Sequence, residues 1–254
     1  MSGTNDMRPP VDPWIMETGS IYLWSLLLLA TILLTLKNRK MPLFGLMLLA
    51  GSSGFWQEFF ADWGAYVAWN PAFARLPFWG EMAYTTPVKP LFMPFSWGWW
   101  FAVSIPLLTS LTIWLKRKFT ARSVYLLAMV IAFPLFLVYQ IYVEGSSVAN
   151  AWWTYDSVIG PALESENGRL PLIFPLLIGI WAGWFVGMLA DRDESGFMAH
   201  EIRLGILAKP TGWGREWTRL WSMALLFQVT FLMINVIPAM IGRALFGGPS
   251  LLVP

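Results

Sequence analysis

Residues 41–71 set the strongest constraint on this chain. The stretch opens as an apolar run, MPLFGLMLLAG over Met41–Gly51, long enough with its continuation to cross a bilayer. Its second half, FWQEFFADWGAYVAWNP, carries Gln57, Glu58 and Asp62 and ends on an aromatic-Asn-Pro stop. Glu58 and Asp62 are four residues apart, so a helix stacks them on one face, and Tyr66 continues that stripe. An ionised carboxylate at mid-bilayer costs roughly 2.5–3.5 kcal/mol on insertion scales. Two on one face therefore need a protein interior, a wet cavity or the interface around them.

The remainder of the chain fits the same setting. Of its 254 residues 57% are hydrophobic and only 13% charged, about half the charge of an average soluble domain. This predicts an all-α integral membrane bundle of about six transmembrane helices, forming a single domain over residues 1–254. The expected spans are 20–36, 41–68, 96–115, 123–143, 171–190 and 220–241. Residues 1–17 read as a polar surface segment without the basic-then-apolar order of a cleaved signal. Residues 191–219 read as a polar cytoplasmic segment with an interfacial helix near 197–207. There is no repeat and no linker.

Lysine and arginine give an orientation. The loops after the first, third and fifth spans hold 12 of the 17, which places them in the cytoplasm and both termini outside. A bacterial plasma membrane is the expected location. Ten of the fifteen acids, Glu58 and Asp62 among them, fall on the outer side.

Composition also removes whole classes of chemistry. Without cysteine there is no thiolate nucleophile, disulfide or cysteine-held metal. A single histidine, His200, leaves no imidazole-rich ligand set, so no metal or other cofactor is expected. His200 reads as a solvated cytoplasmic residue. A net charge of +2 gives no reason to expect nucleic acid. The expected partners are membrane lipids and a lipophilic small molecule, and a homo-oligomer is compatible with the pattern.

Two sets of residues carry candidate chemistry. The first is Glu58, Asp62, Tyr66 and Asn70. The second is Gln140 and Glu144, four apart near the end of the fourth span, followed by Trp152, Trp153, Tyr155 and Asp156. The orientation brings both to the outer half of the bundle. A carboxylic acid in an apolar pocket can protonate a carbonyl, hydroxyl or alkene while a second carboxylate accepts a proton. The competing reading is that these groups are interhelical hydrogen-bonding residues that fix the bundle, with Arg75 and Lys89 as partners. Transport through intramembrane acids is a third, unsupported by any inverted repeat. The 17 tryptophans read first as an interfacial belt, and alternatively as the walls of an apolar pocket. Asn235 and Pro238 either face that pocket or mark a kink.

In order and spacing the motifs resemble the AveC-like membrane proteins, named for the spirocyclase of avermectin biosynthesis. The matching pieces are Phe55-Trp56, Glu58, Asp62 and Trp69-Asn70, then Pro90-Leu91-Phe92 with Pro94, Glu144-Gly145, Trp153-Thr154-Tyr155 and Pro171-Leu172. They cover roughly residues 41–190. The chain departs from the family pattern at Gln140, Lys89 and Phe174-Pro175, where the family carries acids. The resemblance implies a metal-independent membrane cyclase or dehydratase acting on a polyketide-, terpene- or steroid-like molecule. Taken with the two constellations above, this makes Glu58, Asp62 and Glu144 the expected catalytic residues, with Trp56, Tyr66, Asn70, Gln140, Tyr155 and Asp156 expected to bind substrate. A membrane terpene cyclase-like enzyme is the related alternative. A non-catalytic membrane subunit or lipid-binding protein is the alternative of another class.

Overall fold

A computed structural model describes residues 7–77, 84–86, 89–208 and 211–253. The chain is mostly helical. Helix α1 spans Trp14–Asn38, α2 Leu43–Gly54 and α3 Trp56–Ala65, and a short strand β1 follows at Val67–Trp69. Helices α4 (Met93–Lys118) and α5 (Val124–Ala149) come next. Three strands then appear, β2 (Trp153–Tyr155), β3 (Ala162–Ser165) and β4 (Gly168–Pro171). Helix α6 spans Ile173–Ala190 and α7 Ala199–Arg203, with a 3₁₀ turn at Ile206–Ala208. Helix α8 (Trp213–Phe231) runs through a π-helical segment, Leu232–Val236, into α9 (Ile237–Phe246).

Among the described residues, five helical elements are long and apolar enough to cross a membrane: α1, α4, α5, α6 and the continuous α8–α9 helix. The second expected span is not one long helix. It divides at Phe55 into α2 and α3. Residues of low helix propensity, Ser52, Ser53 and Gly54, precede the break, and Ser53 Oγ donates back to the Ala50 carbonyl at 2.8 Å. The last span starts earlier than expected, because α8 already begins at Trp213. The polar 191–219 segment is correspondingly shorter, and its expected interfacial helix is the five-residue α7.

Helix α2 is the hub. It packs against α4, α8 and α1, and Leu46, Met47, Leu48 and Ala50 are fully buried. Close approach explains Gly51, where an added Cβ would come within 2.7 Å of the Trp97 carbonyl oxygen on α4. Helix α1 is peripheral. Its buried residues are Ser20, Thr31 and Thr35, while Leu26, Leu29, Leu33 and Leu36 face outward. Without a hydrophobic gain between helices in lipid, small side chains of this kind allow close packing. A knot of aromatic rings holds α4, α6 and α8 together: Trp97, Phe101, Trp181, Phe185, Phe227 and Phe231, with ring centroids 4.9–6.2 Å apart. Geometry of this kind adds about 0.5–1.5 kcal/mol per pair beyond simple burial.

At the end of the bundle holding the Lys/Arg-rich turns, Arg219 is buried between two acids. Its Nε lies 2.6 Å from Glu201 Oε1 and its Nη1 2.6 Å from Glu216 Oε2. Glu216 also accepts from the Met41 amide, which ties α8, α7 and the α1–α2 turn together. His200 lies beside this network. It is not solvated as expected: both ring nitrogens are buried and unbonded among the described residues. Burial, chiefly, holds the imidazole below its usual range.

Candidate functional site

The acids of α3 form one wall of the site. Glu58 and Asp62 lie one turn apart with Ala61 between them, all three lining one cavity. Asp62 is buried, and the Trp69 indole N–H donates to its Oδ2 at 2.7 Å. That contact exists because α3 stops abruptly. Tyr66 adopts a left-handed conformation (φ 61°), and the chain turns into β1, which carries Trp69 back over the helix end. Left-handed geometry is uncommon for a tyrosine. Here the side chain is fixed by a 2.9 Å hydrogen bond from its hydroxyl to the Gly248 carbonyl and by the Arg243 guanidinium 4.1 Å from its ring centre.

The facing wall comes from α5 and β2. Helix α5 runs to Ala149, so Glu144 sits inside a helix rather than at a span end. Its carboxylate accepts three hydrogen bonds: Gln140 Nε2 at 2.7 Å, Trp153 Nε1 at 2.9 Å and the Tyr155 hydroxyl at 2.8 Å. Burial, with the adjacent Glu144 carboxylate, raises the Tyr155 phenol well above its usual range, so it remains a donor. The walls are joined by the two-stranded antiparallel sheet β1–β2. Its register sets Val67 opposite Tyr155 and Trp69 opposite Trp153, the indoles 4.6 Å apart. The residue that grips Asp62 is thus paired with one that grips Glu144.

Helices α4 and α8 close the space. Trp97, Trp99, Trp100 and Phe101 come from the first turns of α4, and Phe231 and Asn235 from the end of α8 and the π-helical segment. The cavity volume is about 270 Å³. Its lining is aromatic and aliphatic except for a few polar groups, the usual make-up of a small-molecule site. Every contributing segment lies at the end of the bundle away from the Lys/Arg-rich turns.

Of the residues singled out by sequence, Glu58, Asp62, Glu144, Gln140 and Tyr155 line this cavity. Trp56, Tyr66, Asn70 and Asp156 do not. Trp56 is on the outer surface of α3, with its indole 3.3 Å from Gln228 Oε1. Asn70 is consumed by backbone, donating to the Arg8 and Ala151 carbonyls and accepting from the Ala72 amide. Asp156 Oδ2 accepts from Ser250 Oγ and from the Leu251 and Leu252 amides, pinning the C-terminal segment. The period of two in a strand separates it from its neighbours: Trp153 and Tyr155 face Glu144, and Asp156 falls on the other side. Asn235, left open between pocket and kink, lines the cavity. The tryptophans of α4 and β2 are cavity walls as well.

Among the described residues, no arginine or lysine lies within 4.0 Å of the carboxylate oxygens of Glu58, Asp62 or Glu144. Arg75 is exposed. Lys89 is buried and acts on Asp62 from a longer distance, its Nζ bonding Thr85 Oγ1 at 3.2 Å. Glu58 Oε2 is buried without a hydrogen-bond partner, and the Trp97 indole lies beside the carboxyl. No group of three or more His, Asp or Glu side chains among the described residues is placed to hold a metal ion. No family model, curated protein or solved structure matches this chain.

Proposed function

We propose that the protein is a membrane-embedded acid–base cyclase or dehydratase that works on a lipophilic molecule held in this cavity. One observation carries the reading: three carboxyl groups from two separate helices line one aromatic cavity, with no cation among the described residues within ion-pair distance. Structural acids inside a membrane are normally paired. Among the described residues, the hydrogen bonds to Asp62 and Glu144 come from neutral donors, and the cation Lys89 acts on Asp62 from beyond ion-pair distance.

Glu58 is the proton donor in this scheme, since its Oε2 has no hydrogen-bond partner among the described residues. Its proton goes to a hydroxyl or carbonyl oxygen of the substrate. A second hydroxyl of the same molecule attacks the activated carbon and closes the ring. Asp62 or Glu144 removes the proton from the attacking oxygen, and that proton returns to Glu58 to restore the starting state. The net change is isomerisation, or loss of one water when a protonated hydroxyl departs, and no electrons are transferred. Gln140, Trp153 and Tyr155 hold Glu144 in place. The tryptophan faces shape the pocket and favour cationic character in it. The AveC-like resemblance is consistent with this chemistry and leaves the substrate class at polyketide, terpene or steroid.

In the same reading α2 and α3 form a sixth crossing. With 12 and 10 residues they reach about 33 Å at about 1.5 Å per residue. The lysine and arginine bias then puts the cavity at the outer-leaflet side, with both termini outside the cytoplasm.

Mass spectrometry of lipids extracted from the purified protein tests the site. Wild type should carry an apolar compound that Ala61→Phe, which fills the cavity, loses. Equal retention by both would place the ligand elsewhere.

A further inference from the structure

The cavity wall contains a polar group that the acid–base scheme does not use. Asn235 is fully buried, and neither its Oδ1 nor its Nδ2 has a hydrogen-bond partner. A buried carboxamide normally satisfies most of its donors and acceptors, and each one left empty is costly. An apolar side chain would serve a purely structural position better.

Local backbone geometry places it there. Pro238 has no N–H to give to the carbonyl four residues back, so the regular ladder cannot continue through it. The helix widens instead, and the Ile237 amide donates to the Leu232 carbonyl five residues back. Such π-helical segments recur at functional sites. Asn235 and Phe231, on successive turns, thereby both reach the cavity.

Asn235 is not alone. Glu58 Oε2, Gln140 Oε1 and Trp99 Nε1 are further buried polar atoms of cavity-lining residues without partners. Taken with the Asn235 amide, they offer both donors and acceptors to whatever the cavity holds. A hydrocarbon satisfies none of them. A hydroxyl satisfies two at once, because its oxygen accepts from the carboxamide N–H while its hydrogen goes to a carboxamide or carboxyl oxygen.

We propose that Asn235 reads a hydroxyl on the bound molecule, so the ligand is an oxygenated, alcohol-bearing lipophile and not a hydrocarbon such as an olefinic terpene. This deepens the assignment of the cavity as the binding site. It does not depend on catalysis there.

The test uses a matched pair of probes that differ by one oxygen, 2-decalol and decalin, added to the full-length protein in detergent. Thermal unfolding is followed with each probe at the same concentration. In wild type the alcohol should raise Tm by several degrees and the hydrocarbon by clearly less. In Asn235→Leu that difference should vanish, while the variant without probe melts at or above wild type because two unsatisfied groups are gone. If Asn235→Leu fails to accumulate, Asn235→Ala carries the same comparison. Equal shifts from the two probes in wild type would overturn the proposal, as would an alcohol preference that survives loss of the carboxamide. A protein that prefers the alcohol through Asn235 but converts no compound would refute the catalytic reading and leave this one standing.

Discussion

The two ends of the bundle bury carboxylates in opposite ways. At the end with the Lys/Arg-rich turns, Glu201 and Glu216 are both clamped on Arg219 at 2.6 Å, so each buried acid has a cation against it. At the other end Glu58, Asp62 and Glu144 surround a cavity of about 270 Å³, with only neutral donors bonded to them among the described residues. The first arrangement is what acids look like when they hold helices together. The second uses the same residue type and leaves it exposed to a space a ligand can enter. Burial of an acid therefore carries little functional information by itself, and the company it keeps carries much more.

Breaking the paired end should produce the largest loss of stability. Arg219→Ala strands two buried carboxylates and should cost about 3–5 kcal/mol, read as the change in midpoint of a denaturant or thermal transition. Combining it with Glu201→Gln and Glu216→Gln should recover much of that loss. At the cavity end the cost should be smaller. Glu144→Gln turns an acceptor into a partial donor facing Trp153 and Tyr155, and about 1–3 kcal/mol is expected by the same assay. Trp153→Phe removes one of three donors to Glu144, for a loss of about 0.5–1.5 kcal/mol. A stability loss for Glu144→Gln as large as that for Arg219→Ala would erase the contrast between the two ends.

Much of this contrast was legible from residues. Apolar runs marked the five long helices, and the four-residue spacing placed Glu58 with Asp62 and Gln140 with Glu144 on shared faces that do line the cavity. Extrapolating the stripe to Tyr66 failed because the helix ends there in a left-handed residue, beyond which helical spacing has no meaning. Asn70 was misread because a loop asparagine is as useful to backbone carbonyls as to a ligand. The pairing of β1 with β2 joins residues more than 80 positions apart, which no local pattern announces. For Asp156 the signal was present, since strand alternation separates it from Tyr155.

The smallest expected effect concerns Asp156, outside the cavity. Burial pushes its carboxyl up, but hydrogen bonds from Ser250 and the Leu252 and Leu251 amides outweigh this and hold it below the usual range. A depressed folded value means the contact contributes stability above the unfolded pKa, near 3.9. That contribution is lost as pH falls through the lower folded value. Hydrogen exchange at Leu251 and Leu252 should therefore stay slow down to about pH 4 and gain protection-loss only below it. Asp156→Asn should remove this pH dependence and leave the cavity's probe binding unchanged.

In the proposed function Glu58 moves a proton for a molecule bound beside it. The most direct measurement is the initial rate at which wild type and Glu58→Gln convert the compound that co-purifies with the protein, at equal amounts of folded protein. General acid catalysis contributes about 10²–10⁴-fold, so the variant should be at least about 100-fold slower while still binding the compound. An unchanged rate in Glu58→Gln would remove Glu58 from the proton-donor role.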